Sequence, residues 1–334
     1  MRAWLNRWLI ALTLLLVTSP NSPLSAAFGQ GSLTPPGAPG PTMKSLDQIE
    51  ARTPISGLPY TISSSGSYYF TTNLTAISDN DGITIAASDV TLDLNGFTLH
   101  GAGVGLGEGI QVVYSVQNLV IRNGVVDAWE GNAVDAYTAY NSQFDFLRFG
   151  SSYGGLVTGS NCVVSRCIAG GNSNIGIEVG ASSVVKDCIA NANNGDGIYG
   201  NGDNCVIEEC MANANGRYGI APNYTNCIVR NCTANLNGAT GLYVPGSCNQ
   251  IIGNTCNGNR SYGILIAGTQ NRVDDNNVGN NVSYGIADDP PNRDNFITRN
   301  SSPGIGYGNY IGNNDYAPIQ SPTNAVASPW ANFQ

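Results

Sequence analysis

One histidine and 14 Lys plus Arg stand in a chain of 334 residues, and each scarcity removes a class of function. A single His excludes paired-His metal sites such as the H-E-x-x-H helix, and a Ser-His-Asp mechanism has to run through His100 alone. Against 23 Asp plus Glu, so few basic residues leave a formal net charge of −9. The chain has no clustered positive charge to displace counterions from nucleic acid or an anionic membrane, so neither is an expected partner. Leu is sparse after residue 160, and the Leu-x-x-Leu-x-Leu pattern of leucine-rich repeats is absent. What is abundant is Gly, at 42 residues, and Asn, at 41.

The first residues, Met1 to Arg7, carry two positive charges and no negative one, and a largely apolar run follows from Trp8 to Val17. As helix, ten residues rise about 15 Å, half of a hydrocarbon core, so the run is too short to span and reads as a signal peptide. Ser25-Ala26-Ala27 offers a small-residue cleavage site just before Phe28. Removing residues 1–27 takes away Arg2 and Arg7 and no acid, which leaves −11. No second apolar run exists, so a secreted, periplasmic or cell-surface protein without a membrane span is expected.

Residues 28–41 are rich in Gly, Pro and Ser with almost no large apolar residue, and read as a linker. Residues 42–80 read as an N-terminal cap. Met43, Leu46 and Ile49 at spacings of three, with the capping box Ser45-Leu46-Asp47-Gln48, predict a short amphipathic helix closed by Pro54. Tyr60-Thr61-Ile62 and Tyr68-Tyr69-Phe70 then read as strands around the turn Ser63 to Gly66.

From residue 81 to 316 the chain obeys a period. Gly-apolar steps recur at Gly82, Gly109, Gly155, Gly176, Gly197, Gly219, Gly241, Gly263 and Gly285, and from Gly155 onward the intervals are 21, 21, 22, 22, 22 and 22 residues. Ala133-Val134 fills the missing step. Each unit adds a second apolar cluster, such as Cys205-Val206-Ile207, and an Asn-rich turn, such as Asn213-Ala214-Asn215-Gly216. Such short, Gly-broken segments exclude the helices of tetratricopeptide, ankyrin or HEAT repeats, and a propeller blade needs nearly twice the period. The all-β solution is a parallel β-helix of about ten or eleven coils stacked at about 4.8 Å, a rod of roughly 50 Å. Asn at one corner then bonds its copies above and below, and Gly supplies positive φ at the others. Residues 317–334 read as a C-terminal tail.

The stretches Gly40 to Leu46, Asp81 to Gly96 with its Leu92-Asp93-Leu94-Asn95-Gly96, Ile121 to Gly124, and the terminal Ser328 to Phe333 resemble the right-handed parallel β-helix repeat family of the pectate-lyase-like superfamily, secreted bacterial members included. The resemblance covers residue 40 to the end and implies the right-handed solenoid. For activity it implies only a range, from lyases, hydrolases and epimerases to proteins without catalysis. Hydrolases of this fold carry tandem Asp motifs with a His-Gly and an Arg-x-Lys; here His100-Gly101 stands alone. Calcium-dependent lyases of the fold use several carboxylates around one ion and a basic residue, so calcium is the one ion considered and no other cofactor is expected.

Aligning Ala133, Gly155 and Gly176 puts Asp135, Val157 and Glu178 in one outward column, with the two carboxylates about 9.6 Å apart, near the upper limit for an inverting pair. Asp135, Glu178 and Arg148 are therefore the candidate catalytic residues. Around them one stretch departs from the repeat's composition, and Asp127, Trp129, Glu130, Asp135, Tyr137, Tyr140, Asp145 and Arg148 form a candidate glycan-binding patch of aromatic faces with polar edges. Alternation assigns at least two of Phe144, Phe146 and Phe149 to the core. The Gly-rich stretch Gly101 to Gly109 does not match G-x-G-x-x-G and reads as a loop that lengthens one coil.

Nine Cys fall in two columns, Cys162, Cys205, Cys227 and Cys248, and Cys167, Cys188, Cys210, Cys232 with Cys256 displaced. Stacked thiols or disulfides across a corner, such as Cys205 with Cys210 or Cys227 with Cys232, both fit an exported chain. The expectation is an exported, monomeric β-helix that binds an envelope or extracellular glycan. A polysaccharide lyase or hydrolase working around residues 127–178 is the second reading, and a structural or protein-binding solenoid the third.

Overall fold

The computed structural model describes residues 51–77, 79–289, 294–302, 308–311, 319–320 and 331–333. The expected signal peptide, linker and short helix lie outside the described residues, as does most of the expected tail. From Thr53 onward the chain winds as a parallel β-helix. Twelve short strands, from Tyr60–Ile62 to Gly308–Ile311, stack in one sheet, and sixteen, from Thr53–Ile55 to Phe296–Thr298, in the other. Among the described residues there is no helix.

The coils stack in register because the Gly-apolar steps do. Ile83 pairs with Ile110, Ile110 with Val134, Val134 with Leu156, and the column continues through Ile177, Ile198, Ile220, Leu242, Ile264 and Ile286, all buried. Val134 thus occupies the step that lacks glycine. The strands at residues 53–75 are not a separate cap: Tyr60 pairs with Ile83 and Tyr68 with Leu92, so the solenoid begins one coil earlier than the repeat signature. That first coil enters its strand through Leu58-Pro59 and therefore shows no Gly-apolar step.

Each coil turns at single residues in the left-handed conformation, and these stack. One corner holds Asn161, Ser182, Asn204, Asn226, Cys248 and Gln270, a second Arg166, Asp187, Glu209, Asn231, Gly253 and Asp275, and a third Gly171, Ala192, Ala214, Leu236, Gly258 and Asn280, with φ between 53° and 70°. Corner residues are therefore mostly not glycine, although left-handed backbone costs about 1–2 kcal/mol for an ordinary L-residue. The repeat glycines serve close approach instead. A Cβ on Gly197 would lie 2.6 Å from both Gly219 O and Asn215 Nδ2.

The cost at the corners is offset by the residue that follows each one. Behind the third corner, Asn172, Asn193, Asn215, Asn237, Asn259 and Asn281 form a buried ladder. Asn237 Oδ1 accepts from Asn215 N at 2.9 Å and Nδ2 at 3.2 Å, and Asn237 in turn donates to Asn259 Oδ1. The cysteines hold the same place behind the other two corners. Cys167, Cys188, Cys210 and Cys232 run directly into Asn254, Asn276 and Asn300, with Cys188 Sγ accepting Cys167 N at 3.4 Å and Asn254 Oδ1 accepting Cys232 N at 2.9 Å. Cys162, Ser183, Cys205, Cys227 and Asn249 make the third ladder. All nine thiols are free, so the corner disulfides are excluded. Cys248 is the exposed corner residue beside Asn249 and not a rung, and Cys256 stands in the buried column of Ala212 and Ala234.

The outer face of the larger sheet collects the basic residues. Asp93 faces Arg52 and Arg122, Asp145 bonds Arg166 at 2.6 Å, Glu208 bonds Arg230, and Asp274 bonds both Arg272 and Arg299.

Asn237→Ala leaves Asn215 N without its buried acceptor and removes one of two partners from Asn215 Nδ2 and from Asn259 Oδ1, so it is expected to destabilise by about 1–3 kcal/mol, read as a lower urea midpoint. A native thiol titration is expected to modify Cys248 alone, with the eight buried thiols reacting only after denaturation.

Candidate functional site on the twelve-stranded sheet

Strand residues that point outward are free of core duty, and register stacks them. On the twelve-stranded sheet Asp135 pairs with Val157, Val157 with Glu178, and Glu178 with Tyr199, so the two carboxylates stand two coils apart in one column, as the spacing predicts. The residue before each Gly-apolar step forms a second column at the sheet's leading edge. Asp81, Glu108, Asn132, Gly154, Ile175, Asp196, Tyr218, Thr240, Tyr262 and Tyr284 occupy it. The face is thus acidic over its early coils and tyrosine-rich over its later ones.

The acids crowd one another. Burial, then the charge of Asp135, raises Glu108 to about 7, from an ordinary 4.5. Its Oε2 is buried without a hydrogen-bond partner, and its backbone N donates to Asp81 Oδ1 at 3.0 Å. Burial also raises Glu178, with Asp135 and Asp196 adding to it and an Asn201 Nδ2 bond of 2.8 Å to Oε1 opposing. Asp196 is buried and raised for that reason, held by Tyr218 N at 3.0 Å and Arg217 at 3.4 Å.

The aromatics are ordered by the same contacts. Tyr218 and Tyr243 stack with centroids 4.6 Å apart, Arg217 lies 4.4 Å over the Tyr218 ring, and Tyr262 stacks on Tyr284 at 6.2 Å. Tyr199 Oη accepts from Asn223 at 2.8 Å. Beside the acidic column Tyr137, Tyr140, Gly159, Ser160, Gly180 and Asn201 line a shallow depression of about 270 Å³.

Of the residues singled out in the sequence, Asp135, Glu178, Tyr137 and Tyr140 come together here. The others do not. Trp129 is 3% exposed, so it offers no surface for a sugar. Its indole fills the space left by three glycines, since a Cβ on Gly82, Gly101 or Gly109 would come within 3.0 Å of it, and Nε1 donates to Leu99 O. Asp127 pairs with His100 Nδ1 at 2.6 Å, and Asp145 with Arg166. Arg148, exposed between Val125 and Ile168, belongs with these two on the larger sheet, away from Asp135 and Glu178. Glu130 is an exposed corner residue. Phe144 and Phe149 are core, whereas Phe146 is 57% exposed because its left-handed φ of 53° breaks the alternation.

Glu108, Asp196, Tyr199, Arg217, Tyr218 and Tyr243 were not singled out, yet the period carried their signal. Reading down the position before each repeat glycine gives Asp81, Glu108, Gly154, Ile175, Asp196, Tyr218, Thr240, Tyr262 and Tyr284, and Tyr199 follows Glu178 in the outward column.

These features define a parallel β-helix with one acidic, tyrosine-lined face. A family model described as right handed beta helix region matches residues 108–252 and 198–320, and the chain belongs to that family. A comparison with curated proteins returns no match. Among solved structures, the A-module of the Azotobacter vinelandii mannuronan C-5 epimerase AlgE6 is similar at 14% identity and a TM-score of 0.56, over 81% of this chain and 90% of that one. The Dettilon tailspike protein is similar at 12% identity and 0.62, over 78% and 61%. A tailspike mutant of E. coli bacteriophage HK620 in complex with pentasaccharide is similar at 14% identity and 0.50, over 77% and 62%. At these identities the likeness is one of fold.

Trp129→Ala is expected to destabilise by about 3–5 kcal/mol through a core cavity, measured by thermal unfolding. Glu108 is easier to bury protonated, so its contribution to stability is complete below pH 4.5 and is lost as the pH rises through about 7. Glu108→Gln is expected to flatten the stability profile across that window, which urea unfolding at stepped pH reads directly.

Proposed function

We propose that this is an exported protein that binds an extended glycan along the outer face of the twelve-stranded sheet. The observation that carries the reading is the stacked Tyr218–Tyr243 pair beside Arg217, in line with the carboxylates of Glu178 and Asp135. Aromatic faces stack on the apolar faces of pyranose rings, while carboxylates and amides take the hydroxyls at the ring edge. The coil spacing repeats such contacts about every 4.8 Å along the axis, so a linear polymer meets one set after another. Export rests on the N-terminal signal reading. Among the described residues no helix is long and apolar enough to cross a membrane.

Glu108 favours a second reading, acid–base turnover of the bound glycan. A carboxyl protonated up to about 7 beside Asp135 is a proton donor next to a carboxylate, the pairing that glycoside hydrolysis requires.

Glycan-array binding of the secreted protein tests the first reading. Tyr218→Ala with Tyr243→Ala is expected to weaken binding at least tenfold while leaving the unfolding midpoint within a few degrees; binding that survives both changes, or none to any glycan, sinks it. Release of reducing ends that disappears in Glu108→Gln supports turnover as well.

A further inference from the structure

We propose that the glycan carries free amino groups: an extended polymer of amino sugars, aligned with the solenoid axis, whose ammonium groups sit at Asp135 and Glu178. The inference rests on the glycan-binding reading and names its substrate class. Its first ground is charge complementarity. The ion pairs of the larger sheet engage Arg52, Arg122, Arg166, Arg230, Arg272 and Arg299, and on the opposite face Arg217 is held by Asp196. Asp135 is left to repel both Glu108 and Glu178. A neutral sugar leaves that repulsion in place, a polyuronate adds to it, and an ammonium group relieves it.

The second ground is the acceptor geometry. Asp135 Oδ1 takes the N–H of Tyr137 at 3.1 Å and Glu178 Oε1 takes Asn201 Nδ2, so one oxygen of each carboxylate accepts no hydrogen bond among the described residues. An ammonium has three donors and no acceptor, which suits the two carboxylate oxygens left without a donor. The third ground is spacing. Asp135 and Glu178 are about 9.6 Å apart along the axis, with Val157 offering no polar group between them. In an extended polymer of two-fold symmetry the same substituent returns to one edge at every second sugar, a comparable distance. Amines on alternate sugars therefore meet the two carboxylates, and the following rings run onto Tyr199, Tyr218 and Tyr243.

Calorimetric titration of the mature protein with a glucosamine hexamer, an N-acetylglucosamine hexamer and a galacturonate hexamer, under conditions that protonate the free amines, tests this. Each charge-assisted hydrogen bond contributes about 1.5–3 kcal/mol, so the glucosamine hexamer is expected to bind at least about tenfold tighter than its acetylated counterpart, less so in high salt. Asp135→Asn with Glu178→Gln is expected to abolish that preference, whereas Tyr243→Ala is expected to weaken both ligands alike. Equal binding of the free and acetylated hexamers, or tighter binding of the galacturonate, overturns the amino-sugar inference and leaves glycan binding standing. Failure of all three to bind, in a protein whose circular dichroism shows it folded, overturns both. The three-ligand comparison needs only the wild-type protein, so the inference stays testable if the double variant does not fold.

Discussion

From Leu119 onward the coils depend on one repeated bond, in which a buried side chain accepts the backbone N–H of the coil before it. At a corner the chain turns out of the sheet, so the N–H behind the turn has no strand partner, and leaving it buried and unpaired costs about 1–3 kcal/mol. Asn solves both halves of the problem. Asn215 takes Asn193 N with Oδ1 and returns Nδ2 to Ala190 O, 25 residues earlier. A cysteine does the same more weakly: Cys210 Sγ donates to Val185 O. The thiol and asparagine rungs are one device with two chemistries, which is why a cysteine column continues as an asparagine column without a break.

That bond also fixes what the surface is for. With register locked at 22 residues, one outward position per coil decides the chemistry of a whole column, and neighbouring columns are free to differ. On the larger sheet the outward columns alternate in sign, so Asp274 between Arg272 and Arg299 is held below the usual carboxylate range despite its burial. On the smaller sheet the columns do not alternate. Its outward column runs Asp135, Val157, Glu178, Tyr199 and Ala221, with no basic residue among them.

The solenoid was legible in the sequence because a period of 22 is a long-range contact written locally; even the step at Ala133 was placed by counting. The glycine assignment was not, because close approach and positive φ leave the same letter in the chain, and only the coil above distinguishes them. Trp129 misled for a related reason. An aromatic residue among acids reads as a binding surface, but Gly82, Gly101 and Gly109, up to 47 residues away, are what open the core to its indole. The shared column of Asp135 and Glu178 was legible because it could be counted. Glu108 was missed because it sits in a loop of glycines and its burial comes from the next coil.

The acidic row differs from an ordinary solvated face in the burial of its carboxyls. Charged surface residues normally lower their cost by turning outward, yet Glu108 is folded in against Gly131, where an added Cβ would stand 2.7 Å from the carboxyl carbon. Glycine at 131 is what makes room for it. The consequence is a carboxyl that weakens the fold as it ionises, with one oxygen lacking any partner. Stability lost at a rigid surface without compensation in the protein is the pattern expected where a ligand supplies the missing interaction. Because the ladders hold the coils in place, the row cannot relax by shifting register, and its unmet demand for positive charge or a proton persists at the one face where stacked tyrosines stand beside it.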